Sequence, residues 1–484
     1  MADSRIRKVF QNIFAMVSLF TIMRLSGFIL LPFWAAVIVP EELAVIALLA
    51  TIPKLFTTVC GLGYSIILNK IIFRFSLGKC HKWIISFMVA RLFVGIIFSI
   101  VLIVSFNPIN TYIFHNKVSF IAWLLIIFAG SMNIVINGFM SVARLKLFAK
   151  QFFILNFMYT ILNNWIFVFI ACFILGNYLA SVYATFITFS ILTCYSFFKF
   201  YLPLCKVKNV RFKLIRRFFL PALPQYCAGI LNWVKTSIDS FVFSWLGLFP
   251  VLGILSMGKR LAGPYDEFQR SFRQPFEYIF AHDYERKNDS SKMFEVSNLF
   301  FIVMVFLVLV YDEAMRWYVS WFVKDYVSVV SILIFLLMWY LFRDLQVFLS
   351  RITLKNNNFI FTPLTTSLVS ILTSVAYVIF IPRYGLNGAL YSLVLVEAFV
   401  GIMGSIFVLI RYRIDFYTLF KIVLTLLIFF AMISSGGDIF LRSMTKIGVI
   451  TVFILYIVAY RNKVMPQTVS IIENYFHKQG NVGK

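Results

Sequence analysis

The chain has 484 residues, 61% of them hydrophobic and only 13% charged, with a formal net charge of +25 from 44 Lys and Arg against 19 Asp and Glu. Soluble domains carry about 25% charged residues, so this composition excludes a water-soluble globular protein and leaves a polytopic membrane protein. The positive charge would suit a nucleic acid if it lay on one face. It is spread instead through short connections between apolar stretches, which is a topology signal and excludes a nucleic-acid partner.

Between Ile13 and Tyr460 those apolar stretches recur about fourteen times, each close to the roughly 20 residues that cross a hydrocarbon core. The predicted helices of the first half are Ile13 to Ala35, Leu43 to Ile66, Trp83 to Ser105, Ser119 to Ala143, Phe152 to Leu175 and Tyr178 to Phe198. The first lacks a small-residue cleavage site and is expected to stay as a helix. The second half reads Pro221 to Leu246, Val251 to Ile279, Phe294 to Val310, Val327 to Leu349, Phe361 to Ile381 and Gly388 to Ile410, followed by two shorter spans, Leu419 to Ile433 and Ile447 to Tyr460. The fold class expected is an all-α integral membrane protein with about fourteen transmembrane helices.

Alternate connections differ in charge. One set holds 28 Lys and Arg, densest from Lys199 to Arg217, while the opposite set offers only Lys117, Arg316, Lys324, Arg383, Arg442 and Lys446. The positive-inside rule then puts both termini in the cytoplasm. The basic stretch after the sixth span divides the chain into a six-helix half at 1–200, a connector at 201–220, a second six-helix half at 221–413, and two extra helices with a tail at 414–484. A shift of 208 residues lays Gly176 to Tyr183 beside Tyr384 to Tyr391, each bridging the fifth and sixth span of its half. Repeated halves with a substrate site between them near mid-membrane are common in transporters.

Charges within spans mark function, because each costs about 2.5–3.5 kcal/mol on insertion scales unless it faces a cavity or a partner. Arg24 and Lys54 sit near the middles of the first two spans, and Arg91 just cytoplasmic of the middle of the third. None has an acid in its own span. The seventh span carries a polar stripe that includes Gln225, Asn232, Lys235, Asp239 and Ser240, and the eighth carries Ser256, Lys259, Arg260, Glu267 and Arg270. Asn133, Asn137, Asn156, Thr160 and Asn163 add neutral groups suited to sugar hydroxyls, although asparagine stripes also glue helices together. The clear mid-depth acids are Asp239, Glu267 and Glu397. The expected substrate-binding set is therefore Arg24, Lys54, Arg91, Asn137, Asn163, Lys235, Lys259 and Arg260, lining a wet, cationic cavity. Asp239 and Glu397 are the expected ion-coupling residues. Lys235 and Asp239, one turn apart, also suit an intrahelical pair, and Arg343 with Asp344 suits snorkelling toward the cytoplasmic interface.

Other patterns do not carry chemistry. Gly253, Gly258 and Lys259 have phosphate-loop spacing, but Arg260 stands where Ser or Thr should bind magnesium, and the segment is a membrane helix. Six cysteines without CxxC spacing and four histidines without ligand spacing support neither a disulfide framework nor a metal site. No cofactor is expected. The sequon at Asn288 falls in a connection assigned to the cytoplasm and should be silent.

The chain resembles the polysaccharide flippases, of the O-antigen translocase type, in the multidrug/oligosaccharidyl-lipid/polysaccharide exporter superfamily. The resemblance rests on Leu220 to Pro224 (LPALP), Ser237 to Phe241 (SIDSF), Leu246 to Ile254 (LGLFPVLGI) and Ile381 to Ala389 (IPRYGLNGA). Leu255 departs from the usual Tyr after Gly253-Ile254, and Val45 from the usual Gly after the first outer Pro-Glu-Glu. The resemblance implies two six-helix bundles around a central cavity plus two C-terminal helices. It also implies translocation of undecaprenyl-diphosphate-linked oligosaccharide, an O-antigen or similar repeat unit of surface lipopolysaccharide, to the outer leaflet of the bacterial inner membrane. Partners would be that lipid-linked oligosaccharide, membrane lipids, and the polysaccharide polymerase and chain-length machinery. A cationic cavity suits an anionic diphosphate, which Arg binds bidentately and Lys as a point charge. A drug/cation antiporter of the same superfamily would favour an acidic cavity. A polytopic glycosyltransferase or polymerase would need a large outer loop with catalytic acids, whereas the longest outer connection is about 17 residues. A transporter rather than an enzyme is expected.

Overall fold

The computed structural model describes residues 26–64, 77–145, 149–201, 212–287, 290–355 and 361–412. The first part of the first predicted span, with Arg24, and both C-terminal helices lie outside the described residues, as do residues 202–211 of the basic connector. Every regular element among the described residues is a helix, and seven are long and apolar enough to cross a membrane. The chain groups into two compact units, residues 22–266 with 315–404, and residues 1–21 with 267–314 and 405–484.

The first unit begins with α1 (Ser26–Ala35) and the second span, which is broken into α2 (Pro40–Leu49) and α3 (Thr51–Val59). Pro40 opens α2 where a missing N–H costs nothing. Glu41 and Glu42 follow in its first turn, suited to the positive end of the helix dipole. Next come α4 (Leu77–Val104), the short α5 (Phe106–Tyr112) and α6 (Phe120–Leu145). The fifth span is α7 (Ala149–Phe157) and α8 (Asn163–Phe173), joined by a π-helical turn at Met158–Leu162. The sixth is α9 (Leu179–Ser196), which ends in a second π turn at Phe197–Tyr201. Helix α6 is the centre of this bundle and packs on α3, α4 and α9. Its buried face carries Ala122, Ile126, Ala129, Ile136 and Ala143, small side chains alternating with branched ones. Asn133 lies on the same helix and donates from Nδ2 to the Pro53 carbonyl of α3 at 3.4 Å.

The next helices are longer than their apolar cores. α10 spans Phe212–Trp245, starting well before the expected Pro221, and α11 spans Phe249–Lys287. α12 (Ser290–Phe322) and α13 (Val330–Lys355) flank a 3₁₀ turn at Lys324–Val329. Helix α10 packs against α2, α3 and α4. The eleventh and twelfth spans form one continuous element, α14 (Phe361–Tyr412), sharply broken at Gly385 with φ 56° and ψ −127°. Only glycine takes that backbone at no steric cost. At Gly388 a Cβ would stand 2.2 Å from the Phe380 carbonyl, so the turn closes only on a bare Cα. The Ile381 to Ala389 motif thus encodes a tight helix-to-helix turn.

Outward faces are apolar: Phe93 is 64% exposed, Val104 77% and Phe173 78%. Such faces would be a liability in water and are the expected solvent-facing surface in lipid.

The loop ends of the helices are closely joined. Tyr326 donates its hydroxyl to the Ile38 carbonyl at 2.6 Å, and Tyr178 donates its backbone N–H to Glu42 Oε2 at 2.8 Å. His115 Nε2 lies 2.9 Å from the Ser244 carbonyl, and the Ser244 hydroxyl donates to the Ile113 carbonyl. A Cβ at Gly253 would stand 1.9 Å from the Pro40 carbonyl, so glycine lets α11 meet the start of α2 backbone to backbone. Lys117 pairs with Glu41 at 3.0 Å and lies over the Phe249 ring at 4.4 Å.

Candidate functional site

The charged stripe of α10 turns toward α11 and α14. Lys235 lies about 15 Å along the axis from Trp245. Lys259 stands a similar distance into α11 from Phe249. Both therefore belong near the middle of a bilayer-sized span.

Lys235 donates from Nζ to Glu397 Oε1, with side-chain exposures of 8% and 0%. Glu397 also accepts from Trp339 Nε1 at 3.2 Å and from Gln346 Nε2, which in addition reaches the Glu397 backbone carbonyl at 3.2 Å. The carboxylate is thus held by three donors from two helices, which is what a fully buried charge requires.

The second pair is Lys259 with Asp239, at exposures of 29% and 0%. Asp239 Oδ1 takes the Ser240 backbone N–H at 2.8 Å. Tyr377, fully buried on α14, stands within electrostatic range of both Asp239 and Glu397. The two pairs therefore form one network.

The intrahelical Lys235–Asp239 pair suggested by their spacing does not form. Each residue finds its partner on another helix, because α11 and α14 present groups better placed to satisfy a buried charge than a neighbour one turn away. Arg343 likewise does not snorkel: it pairs with Asp266 on α11 and stacks against Tyr340 at 4.7 Å and Trp339 at 5.6 Å, while Asp344 is buried.

Lys54 and Arg260 are the exposed cations beside this network. Lys54 on α3 is exposed although its neighbours Pro53 and Phe56 are buried, and it lies within electrostatic range of Lys259, Arg260 and Asp239. Thr57 and Thr58 donate their hydroxyls back to the Lys54 carbonyl at 2.8 and 2.9 Å. Arg260 is exposed too, with its guanidinium over the Trp34 ring at 5.0 Å. Lys54, Lys235, Lys259 and Arg260 outnumber Asp239 and Glu397 two to one, so the group carries surplus positive charge.

The other predicted site residues fall elsewhere. Arg91 is 3% exposed, donates from Nε to the Cys60 carbonyl at 3.2 Å and from Nη1 to Met88 Sδ at 3.5 Å, and lies over the Tyr64 ring at 4.7 Å. Its guanidinium is engaged with the protein's own groups, apart from Lys54 and Arg260. Asn137 donates from Nδ2 to Asn133 Oδ1 at 2.7 Å and to its carbonyl at 3.0 Å, so the α6 asparagines bond along the helix and on to α3. Asn163 opens α8 directly after the π turn, and its Oδ1 is buried without a partner among the described residues. Arg24 lies outside the described residues. No group of three or more His, Cys, Asp or Glu able to hold a metal occurs among the described residues.

Sequence reasoning missed Trp339, Gln346 and Tyr377. Their signal is faint: Trp339, Arg343 and Gln346 recur at helical spacing on one face of α13, but only packing against α14 shows that they meet Glu397.

The helical arrangement is similar to that of solved membrane transporters. A solved lipid II flippase, MurJ, in an inward closed conformation, is similar at 17% identity over 93% of this chain and 99% of that one, with a TM-score of 0.67. An inward-facing multidrug resistance transporter of the MATE family, in the MOP superfamily, is similar at 12% identity over 81% of this chain and 98% of that one, with a TM-score of 0.58. No family model and no curated protein sequence matches the chain. At these identities the likeness establishes the transporter fold and nothing finer.

Proposed function

We propose that the chain is a flippase that moves undecaprenyl-diphosphate-linked oligosaccharide, the repeat unit of an O-antigen or similar surface polysaccharide, from the cytoplasmic to the outer leaflet of the bacterial inner membrane. The observation that carries this reading is the sign of the interior charge. Lys54 and Arg260 are exposed cations, and the acids beside them are already neutralised by Lys235 and Lys259. An anionic diphosphate gains there what it loses on leaving water, because Arg offers paired donors and Lys a compact charge. A cation entering the same place meets two carboxylates that each already hold an ammonium, which argues against the drug-antiporter reading. The lipid II flippase among the similar folds supports cargo of the same kind.

In this reading the halves alternate access around the charged site, Arg24 joins Lys54 in drawing the diphosphate, both termini lie in the cytoplasm, and product passes to the polymerase and chain-length machinery. The test is reconstitution of the purified chain into proteoliposomes with a fluorescent polyprenyl-diphosphate oligosaccharide in the inner leaflet. Its appearance in the outer leaflet, with no uptake of an organic cation, supports the reading. Cation exchange without lipid flipping overturns it.

A further inference from the structure

The two ion pairs of the site differ in their access to cargo. Lys235 and Glu397 are both buried, and Trp339 and Gln346 lock the carboxylate in place. In the second pair Asp239 is fully buried while Lys259 is 29% exposed, so that ammonium is held by a buried acid yet remains accessible, within electrostatic range of Lys54.

The surroundings of Asp239 are specific. From α11 it meets Lys259, from α3 the charge of Lys54, and from α14 the phenol of Tyr377; on its own helix it takes the N–H of Ser240, while Lys235 one turn away is paired with Glu397. Two carboxylates thus share two ammonium groups, Lys235 and Lys259. If a stronger anion captures Lys259, two buried carboxylates are left with one ammonium. A shift of Lys235 toward Asp239 would not repair this, because Glu397 would then be short of a cation. An unpaired carboxylate in that setting is relieved by protonation.

We propose that Lys259 is an exchange residue: an anionic cargo head group held by Lys54 and Arg260 draws its ammonium off Asp239, and the buried acid pair takes up one proton. The step breaks the Nζ–H···Oδ2 contact, forms an Nζ–H···O–P contact, and moves one proton from hydronium in the surrounding solution to a carboxylate oxygen. No other bond changes. Cargo binding would thereby load the protein with a proton, a direct link between the head group and a proton gradient. The inference rests on the anionic cargo proposed above.

The test uses the purified full chain in nanodiscs and UDP-N-acetylglucosamine as probe, a diphosphate diester that does not itself titrate near neutrality. Binding heats measured in buffers of different ionisation enthalpy give the protons taken up per probe. About one is expected for the unaltered chain. Lys259→Gln should bind more weakly with no uptake, since the exchange has been removed, whereas Lys259→Arg should restore uptake. Asp239→Asn should bind without uptake. A purely structural lysine would change affinity but leave the proton count alone. Probe binding with no uptake in the unaltered chain, or uptake unchanged in Lys259→Gln, overturns the exchange and leaves the anionic cargo standing. No probe binding at all overturns the cationic site itself. If Asp239→Asn does not fold, the contrast between the two Lys259 variants decides.

Discussion

The Lys235–Glu397 pair makes a quantitative prediction about stability. Its side chains are 8% and 0% exposed, so water does not screen them. Glu397→Gln keeps an oxygen to accept the Trp339 N–H but leaves the Lys235 ammonium buried without an acid, because Asp239 is already engaged with Lys259. Breaking a buried pair from one side costs about 3–5 kcal/mol. Removing both charges is often close to neutral, so Lys235→Met combined with Glu397→Gln should recover most of that loss. Equilibrium unfolding in mixed detergent and SDS micelles, followed by tryptophan fluorescence, measures both variants and their coupling. The exposed Lys117–Glu41 pair, at 40% and 55%, supplies the contrast. Glu41→Gln should change stability by about 0–1 kcal/mol. Equal stability for the Glu397 single and double variants, or a single-variant loss no larger than that of Glu41→Gln, would refute the reasoning.

Charge reversal at the exposed site should act on transport: Lys54→Glu should abolish flipping in proteoliposomes at normal protein yield, Lys54→Arg should keep part of it, and full activity of Lys54→Glu would remove this residue from the mechanism. Gly253→Ala should cost about 1–3 kcal/mol by overpacking, because its Cβ would stand 1.9 Å from the Pro40 carbonyl. Gly229→Ala, with nothing within 4 Å, is the control, and should be neutral or stabilising by up to about 1 kcal/mol; melting temperatures of the two variants in detergent check the difference. For topology, single-cysteine chains retaining Cys80 or Cys205 should react with a membrane-impermeant thiol reagent only in opened cells, and labelling in intact spheroplasts would reverse the assigned orientation.

The sequence by itself determined the class of fold. Runs of apolar residues long enough to cross a bilayer can satisfy their backbone groups only as helices, so the spans from Trp83 to Phe198 and from Val327 to Ile410 were legible from local pattern alone. So was the turn at Ile381 to Ala389, where Gly385 takes a backbone that other residues avoid. The candidate cations Lys54, Lys235, Lys259 and Arg260 were legible because charge in an apolar helix is costly. Hydropathy did not locate the start of α10 or the end of α11, where polar turns extend helices beyond their apolar cores, nor the π turn at Met158–Leu162.

Partnership was decided only by the tertiary structure. On one helix Lys235 and Asp239 are natural partners, yet packing of α11 and α14 against α10 pairs Lys235 with Glu397 and Asp239 with Lys259. The approach of α4 to the C-terminal end of α3 likewise withdraws Arg91 into contacts with Cys60 and Tyr64, while Lys54 and Arg260 stay exposed. The reason is physical: a helix pattern gives the face a charge occupies, but the energy of a buried charge depends on which donors and acceptors other helices bring to it. Those helices are separated from Lys235 by up to 162 residues of chain, a distance over which local sequence carries no information about contact.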